Sequence, residues 1–571
     1  MKFSQLSIYL DQLDSTSSRI EITKILSTLL KSAQDNEIDK IIYLVLGRLA
    51  PQYHGLVFNI ADQLMLQSLS LCYATDLGEV KKLYRSLGDL GLVAEKLKKE
   101  KTPQHHPKPL SVIDVFNRLK TIALDEGEGS QDRKITEMAR LLSELDGLSV
   151  RFVTRIPIGK LRLGFSDKTI IDALSWQQNA DKQFSQAIKK AYDVLPDIGL
   201  LARLIKQSGI ENATKNIKPI IGTPVMPMLA QRLKSPAEMI KKMGEVAIEP
   251  KFDGLRLQIH FQKNKPTKAF TRNLNETSWM FPELESIGQK IKANSAIFDC
   301  EAVGLSENSK KMVNFQTTMT RRRKHEVLSH SQKTPIRFQV FDLLFLNDKS
   351  LLHLSYEERR KLLKEIVTDK NLLIVDEYLV TSSPEVITQK HKEWIKKGLE
   401  GIIVKQVNSE YVPGRTGWRW VKMKEEEQSK AKLKDTVDCI IMGYSFGKGK
   451  RSGFGMGQFL AGIKDQETVK TITKVGTGLT DEQFRTLKKR LKKLETSQKP
   501  KEYIPGIKSL LPDFWVIPNL VVELAADEIT KSPGHSSGFA LRFPRLVRFR
   551  DDKSPSDATT LSEIKKLFQL Q

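Results

Sequence analysis

The stretch AIEPKFDGLRLQIHF, from Ala247 to Phe261, places a lysine, Lys251, close to Asp253, Gly254 and Arg256. A lysine amine can attack phosphorus only as the free base, and at its reference value of about 10.4 it is protonated near neutral pH. Burial against a sheet and neighbouring cations such as Arg256, Lys422 and Lys424 would each disfavour the ammonium. The same cations would stabilise charge developing on a phosphate. Leu255, Leu257, Ile259 and Phe261 alternate with polar residues as in a half-buried strand, and Asp253-Gly254 is a hairpin turn signal. Two readings result: a solvated lysine beside an ordinary hairpin, or a nucleophile that the hairpin holds in place.

Further chemistry-bearing residues follow in order. Glu301 closes the strand pattern AIFDCEAVG, Phe341 and Asp342 sit in IRFQVFDLLFL, Glu400-Gly401 open GIIVK, and Lys422 and Lys424 lie in WRWVKMK. Taken singly, each has a plain structural explanation: Phe341 as core, Glu400 as a strand-end solubiliser, the lysines as a solvated strand face.

The elements that must position these residues fall into three textures. Up to about Ile217 the pattern is helical; Ile135, Met138, Leu142 and Leu145 recur at helix spacing after Ser130, an expected N-cap. Pro and Gly in Ile220–Pro227 mark a linker. From there to Lys424, short strands (EVAIEPK, LRLQIHF, KAFTR, AIFDCEAVG, IRFQVFDLLFL, GIIVK) alternate with helices such as SYEERRKLLKEIV, an α+β domain on antiparallel sheet. The charged run Lys424–Lys434 reads as a solvated connector. Beyond it, TVDCIIMGYSFGKGKRSGFGMGQFLAGI and the helix DEQFRTLKKRLKKL, with Thr480 and Gln483 as a capping box, fit a small OB-fold β-barrel.

At 571 residues the chain needs several cores, and 92 Lys and Arg against 68 Asp and Glu leave a net charge of +24, which suits a polyanionic partner. Three scattered cysteines, Cys72, Cys300 and Cys439, make neither a disulfide framework nor a four-cysteine zinc site. No apolar run reaches the roughly 18 residues of a membrane span, and an early acidic residue argues against a signal peptide, so a cytoplasmic protein is expected.

In combination the motifs resemble those of the covalent nucleotidyl transferases, polynucleotide ligases and mRNA capping enzymes. RFPRLVRFRDDKSPSDATT and KVGTGLTDEQF resemble the terminal motif and barrel segment of ATP-dependent DNA ligases. EGEGSQDRKITEMARLLSEL and RIPIGKLRLGFSDKTIIDAL are similar to the DNA-binding domain of the archaeal and eukaryotic replicative type. The resemblance spans the chain and implies a helical DNA-binding domain (1–217), an adenylation domain (218–428) and an OB-fold domain (429–571), closing on duplex DNA as a clamp.

It also implies roles, one residue at a time. Lys251 is the nucleophile; Glu249 contacts adenine through its main chain; Arg256 flanks the phosphates; Arg272 and Glu301 hold the ribose; Phe341 stacks on the base. Lys422 and Lys424 meet the α-phosphate, Glu301 and Glu400 serve a divalent metal, and Arg542, Arg545, Asp552 and Lys553 orient pyrophosphate. The family usually places an arginine where Thr416 stands; here Arg415 lies one residue earlier and is the candidate for that contact. The implied cofactors are ATP and Mg²⁺, with Mn²⁺ as a substitute. The implied partner is nicked duplex DNA bound by a nucleoid-associated monomer in replication, recombination and repair, with a sliding clamp as an open further partner. Helix N-termini after EGEGS and GFS, with Lys160 and Arg162 beside Gly159 and Gly164, are the expected backbone contacts. Four alternatives fit less well: an NAD-dependent ligase, a GTP-using capping enzyme, an RNA ligase and a non-catalytic DNA-binding scaffold.

Overall fold

The computed structural model describes residues 1–101, 109–161, 163–215, 217–233, 235–306, 311–313, 315–318, 321, 334–414, 417–424, 436–447, 455–476 and 479–570. The chain divides into two compact units, Met1–Glu425 and Glu426–Gln571. Arg162, Arg415, Thr416 and the connector beyond Lys424 lie outside the described residues.

The first unit begins with a bundle of helices running from Phe3–Asp14 to Ile198–Lys215. Their apolar stripes converge on one core that includes Phe3, Leu26, Leu97, Met138, Leu142 and Ile198. In the helix Ser130–Ser143 the N-cap is Gly129, and Ser130, expected as the cap, is already helical. Gly129 is in the left-handed region (φ 73°), which glycine occupies at no steric cost, so the sharp entry is made one residue earlier.

The strands of this unit are β1 (Val246–Lys251), β2 (Leu255–Gln262), β3 (Lys268–Thr271), β4 (Ser295–Gly304), β5 (Ile336–Leu346), β6 (Lys349–Ser350), β7 (Leu373–Val375), β8 (Leu379–Thr381), β9 (Gly401–Gln406) and β10 (Trp420–Lys424). They form two sheets, one in the order β10-β9-β1-β8 and one in the order β3-β2-β4-β5-β6, with β7 parallel to β5. One face of the first sheet is apolar: Val246, Ile248, Ile402, Val404 and Val421 pack on Met239 and Met243 of the helix Pro236–Met243 and on Ile387 and Trp394 of the helix Pro384–Lys396. In the second sheet Leu257, Ile259, Cys300, Phe338 and Val340 pack on Leu363 and Ile366 of the helix Tyr356–Ile366, whose N-terminus carries a capping box between Ser355 and Glu358.

The two sheets explain the Asp-Gly turn, and they correct the expected hairpin. β1 pairs with β8 and β9, whereas β2 pairs with β3 and β4, so Phe252–Gly254 carries the chain from one sheet to the other. Gly254 is absent from the positive-φ residues. Its smallness matters for another reason: a Cβ there would lie 2.5 Å from the Ala302 carbonyl oxygen and 2.9 Å from Cγ of Glu301. Strand pairing is a long-range property, and a two-residue turn signal cannot specify it.

The second unit is built on strands. A sheet of eight, including Val437–Ser445, Gln458–Asp465 and Thr468–Val475, encloses Tyr444, Phe459, Ile472 and Val522. The helix Asp481–Lys492 covers this core with Phe484, Leu487 and Leu491 and starts with the expected Thr480/Gln483 capping box. It is the strand-rich C-terminal domain anticipated as an OB-fold.

Gly254→Ala tests the close approach of the Phe252–Gly254 crossover to β4. Overpacking of this kind costs about 1–3 kcal/mol, so the variant should melt at a lower temperature than the native chain in a calorimetric scan. An unchanged melt would contradict the contact with Ala302.

Candidate active site

Antiparallel register arranges one face of the first sheet in rows. Lys251 lies opposite Gly401, and Gly401 opposite Lys424. In the next row Glu249 faces Ile403, which faces Lys422; in the third Ala247 faces Lys405, which faces Trp420. Because side chains alternate with a period of two, all of these share the face opposite the apolar core. Gly401 is glycine for two reasons: its φ is 146°, and a Cβ would meet the Met423 carbonyl oxygen at 2.2 Å. The amide of Glu400 donates to the Lys251 carbonyl at 3.0 Å, which brings the Glu400 side chain to the end of the first row. There its carboxylate is ion-paired with both Lys251 and Lys424.

The second sheet supplies the opposing wall. Register shifts along β5 so that Asp342 and Val340 face Asp299 and Cys300, leaving Phe341 as the extra residue of a β-bulge. A bulge re-aims a side chain, and the Phe341 ring stands edge-on to Trp420 of the first sheet, with centroids 6.0 Å apart. Asp342, beside it, is fully buried against Arg359 (Nε to Oδ1 2.7 Å), which fixes the bulge to the helix below. Arg256 donates from Nε and Nη2 to Asp299 at 3.0 and 2.6 Å and from Nη1 to the Met228 carbonyl at 2.7 Å. Tyr411 donates to Asp299 at 2.8 Å and accepts from the Met228 amide at 3.0 Å, so the strap Met228–Ala230 is pinned over the gap.

Between the walls lies a cavity of about 430 Å³. The first sheet contributes Glu249, Lys251, Lys422 and Lys424; the second side contributes Arg256, Arg272, Glu301 and Phe341. Eight of the residues singled out in the sequence thus meet around one space, and Glu400 reaches it through its ion pairs. Arg415 is not among the described residues.

Charge in the cavity is unevenly balanced. Burial pushes the Glu301 carboxyl up to about 7 even though Lys251 and Arg256 oppose the shift. Burial acts on Glu400 in the same sense, but Lys251 and Lys424 outweigh it and its carboxyl lies below the usual range. Lys422 is pulled below the usual lysine range by burial and by the cations Lys424, Arg232, Lys251 and Arg272. Such an array favours a polyanion. Glu400 stands among these cations, its carboxylate ion-paired with Lys251.

One residue at the cavity had escaped sequence reasoning. Lys405, only 1% exposed, lies at the bottom, with Nζ 2.6 Å from Oε2 of Glu249 and over the rings of Trp420, Phe341 and Tyr356. Burial draws it below the usual lysine range, while Glu249 and Asp342 act to hold its proton. The available signal was parity: in GIIVKQ the lysine shares its face with Gly401 and Ile403.

Other anticipated contacts fall elsewhere. Lys160, expected to be open to phosphate, is paired with Asp62 at 2.7 Å and donates to Tyr84 at 2.9 Å. The helices Ser130–Ser143 and Asp167–Asn179 both lack a side-chain cap on their N-terminal amides, and Gly159 and Gly164 have open space where a Cβ would stand. In the second unit Arg542, Arg545 and Lys553 pair with Glu528, Asp527 and Asp438, and Asp552 with Arg550.

Comparison with known proteins fits this architecture. Residues 2–175 match the DNA ligase N terminus, 227–424 the ATP dependent DNA ligase domain and 452–553 the ATP dependent DNA ligase C terminal region. A probable DNA ligase of Dictyoglomus turgidum is 37% identical over 583 residues, covering 100% of this chain and 98% of the relative. A DNA ligase of Sulfurisphaera tokodaii is 35% identical over 598 residues with the same coverage. The solved structure Pmar-Lig_Pre, 19% identical, matches with a TM-score of 0.54 over 96% of this chain and 99% of its own, a likeness of fold. The chain belongs to the ATP-dependent DNA ligase family.

Glu301 makes the cavity measurable through stability. With a carboxyl at about 7 in the folded protein against 4.5 ordinarily, the folded state binds more protons than the unfolded one between those values. Its contribution to stability is therefore full below pH 4.5 and is lost as pH rises through about 7. In metal-free buffer Glu301→Gln should melt above the native chain at pH 8, with the gap shrinking towards pH 5; a gap independent of pH would contradict the buried acid.

Proposed function

We propose that Lys251 attacks the α-phosphorus of ATP, forming a phosphoramidate bond to AMP and releasing pyrophosphate. The adenylyl group then passes to the 5′-phosphate at a nick in duplex DNA. The 3′-hydroxyl attacks that activated phosphate, closing the phosphodiester and expelling AMP. The single observation that carries this reading is the row Lys251–Gly401–Lys424 at the mouth of the cavity, with Glu400 on both lysines.

The other roles follow from position. Lys422, Lys424 and Arg256 face the phosphates and offset the charge that builds on them. Phe341 offers its face to the base, Glu249 its main chain, and Arg272 with Glu301 the ribose. Arg415 is proposed for the nucleotide on sequence alone. Arg542, Arg545, Asp552 and Lys553 are proposed to orient pyrophosphate.

Among the described residues no three His, Cys, Asp or Glu side chains cluster as a metal cage. Glu400 and Glu301 nevertheless suit Mg²⁺, which is commonly held by one or two carboxylates together with substrate phosphates. Bound there, Mg²⁺ (or Mn²⁺) would supply charge stabilisation on the triphosphate. A cation held there would compete with Lys251 for the Glu400 carboxylate.

Separate helical, sheet and barrel cores support a division into 1–217, 218–428 and 429–571. The uncapped helix N-termini support backbone contacts to DNA, and the net charge of +24 supports association with a nucleic acid; the enzyme is proposed to act as a monomer at the nucleoid, in the cytoplasm. No helix among the described residues is long and apolar enough to cross a membrane. The work proposed for the enzyme is nick sealing in replication, recombination and repair, with a sliding clamp as a candidate recruiter.

Sealing of a nicked duplex, assayed with ATP, GTP and NAD in turn and with Mg²⁺, Mn²⁺ or chelator, tests the reading. ATP with either metal should seal and chelator should abolish sealing. Sealing with NAD and none with ATP would overturn it.

A further inference from the structure

We propose that Arg232 binds the β- and γ-phosphates of ATP at the rim of the cavity and steadies the pyrophosphate as it leaves. The inference rests on reading the cavity as the ATP site and goes further by placing a cation of the first unit on the leaving group.

The strap over the gap continues past Ala230 as an extra strand along the β10 edge of the first sheet. Gln231 forms a parallel bridge with Val421: its amide donates to the Trp420 carbonyl at 2.9 Å, and its carbonyl accepts from the Lys422 amide at 2.8 Å. Side chains bridged in this way share a face, and successive ones alternate. Val421 and Leu233 both pack with the apolar core behind the sheet, whereas Ala230 lines the cavity. Arg232, between Gln231 and Leu233, therefore stands on the cavity face, level with Lys422. It extends the row Glu249–Ile403–Lys422 by one strand beyond β10.

Two further observations agree. Arg232 is exposed, as suits a group that meets the outer phosphates of a nucleotide. Burial, then Lys424 and Arg232, draw Lys422 below the usual lysine range, so these cations face the same space.

The chemistry sets the direction. The lone pair of the Lys251 amine forms the N–P bond. The bond from the α-phosphorus to the bridging oxygen breaks, its electron pair leaves with pyrophosphate, and a proton of the amine goes to solvent. Attacking and leaving atoms lie roughly in line, so pyrophosphate departs on the side of the phosphorus away from the nucleophile. Lys251 stands on β1, and β9, β10 and the strap follow in that order to one side. At about 4.8 Å per strand the strap is roughly 14 Å from β1. On the other side β8, Leu379–Thr381, carries no cation. Lys422 and Lys424 lie between, where they can hold the α-phosphate. Beyond them Arg232 offers a planar fork that binds a phosphate through two parallel N–H groups.

The steps of sealing can be assayed apart. Enzyme–AMP formation by the full chain would be measured with ATP and Mg²⁺, with and without added inorganic pyrophosphate. Sealing of a pre-adenylated nick would be measured without ATP. In Arg232→Ala, kcat/KM for ATP should fall about tenfold, as for a hydrogen bond between charged groups, and half-inhibition should need about tenfold more pyrophosphate. Sealing of the pre-adenylated nick, which releases no pyrophosphate, should keep the native rate. A native rate of adduct formation, unchanged inhibition by pyrophosphate, or an equal loss in both steps would overturn the assignment. The last is the result expected of a merely structural strap residue or of a DNA contact. Should Arg232→Ala not fold, Arg232→Lys, which keeps the charge without the fork, decides on the same comparison. Failure of the native chain to form any adduct with ATP would instead sink the reading of the cavity itself.

Discussion

The antiparallel register of β10, β9 and β1 is the constraint on which the rest depends. Three strands in that order, with a pleat that alternates every residue, force Lys251, Gly401 and Lys424 into line. They place Glu249 with Lys422, and Lys405 with Trp420, in the rows behind. A slip of one residue in any strand would send its cationic set into the apolar face that packs on Trp394 and Met239. The hydrophobic core thereby enforces the geometry of the polar face, and a covalent nucleophile needs such a platform to be held within a fraction of an ångström.

The polar face carries its own penalty. Glu249, Lys405, Asp299, Asp342 and Arg359 are all buried, and charges taken out of water are costly unless paired with good geometry. Here each has a partner: Lys405 on Glu249, Arg256 on Asp299, Arg359 on Asp342. Apolar replacements of the same volume would serve stability equally well or better. What the charges provide is a set of fixed dipoles around the cavity.

Much of this was legible from the sequence, for reasons that can be named. The strand patterns around Lys251, Glu301, Phe341 and Lys422 combine short alternation with turn residues, and the structure has strands at each of them. Helical periodicity before Ile217 and the capping boxes at Ser355 and Thr480 are local signals and are readable as such. What failed was non-local. Asp253-Gly254 looked like a hairpin because a turn is seen in two residues, whereas the pairing of β2 with β4 is set some 40 residues away. Nothing near Lys160 in the chain announces its pairing with Asp62. Lys405 escaped notice because its partner, Glu249, lies on a different strand altogether. The bulge at Phe341 depends on how β4 and β5 share their register, which no single strand encodes.

The central claim is that this register makes Lys251, among several neighbouring lysines, the atom that bonds to AMP. The direct measurement is to incubate the chain with ATP and Mg²⁺, digest it, and locate the added AMP by mass spectrometry of the peptides. The account predicts the adduct on Lys251 and none in Lys251→Ala. AMP on Lys422, Lys424 or Lys405, or an adduct surviving in Lys251→Ala, would contradict it.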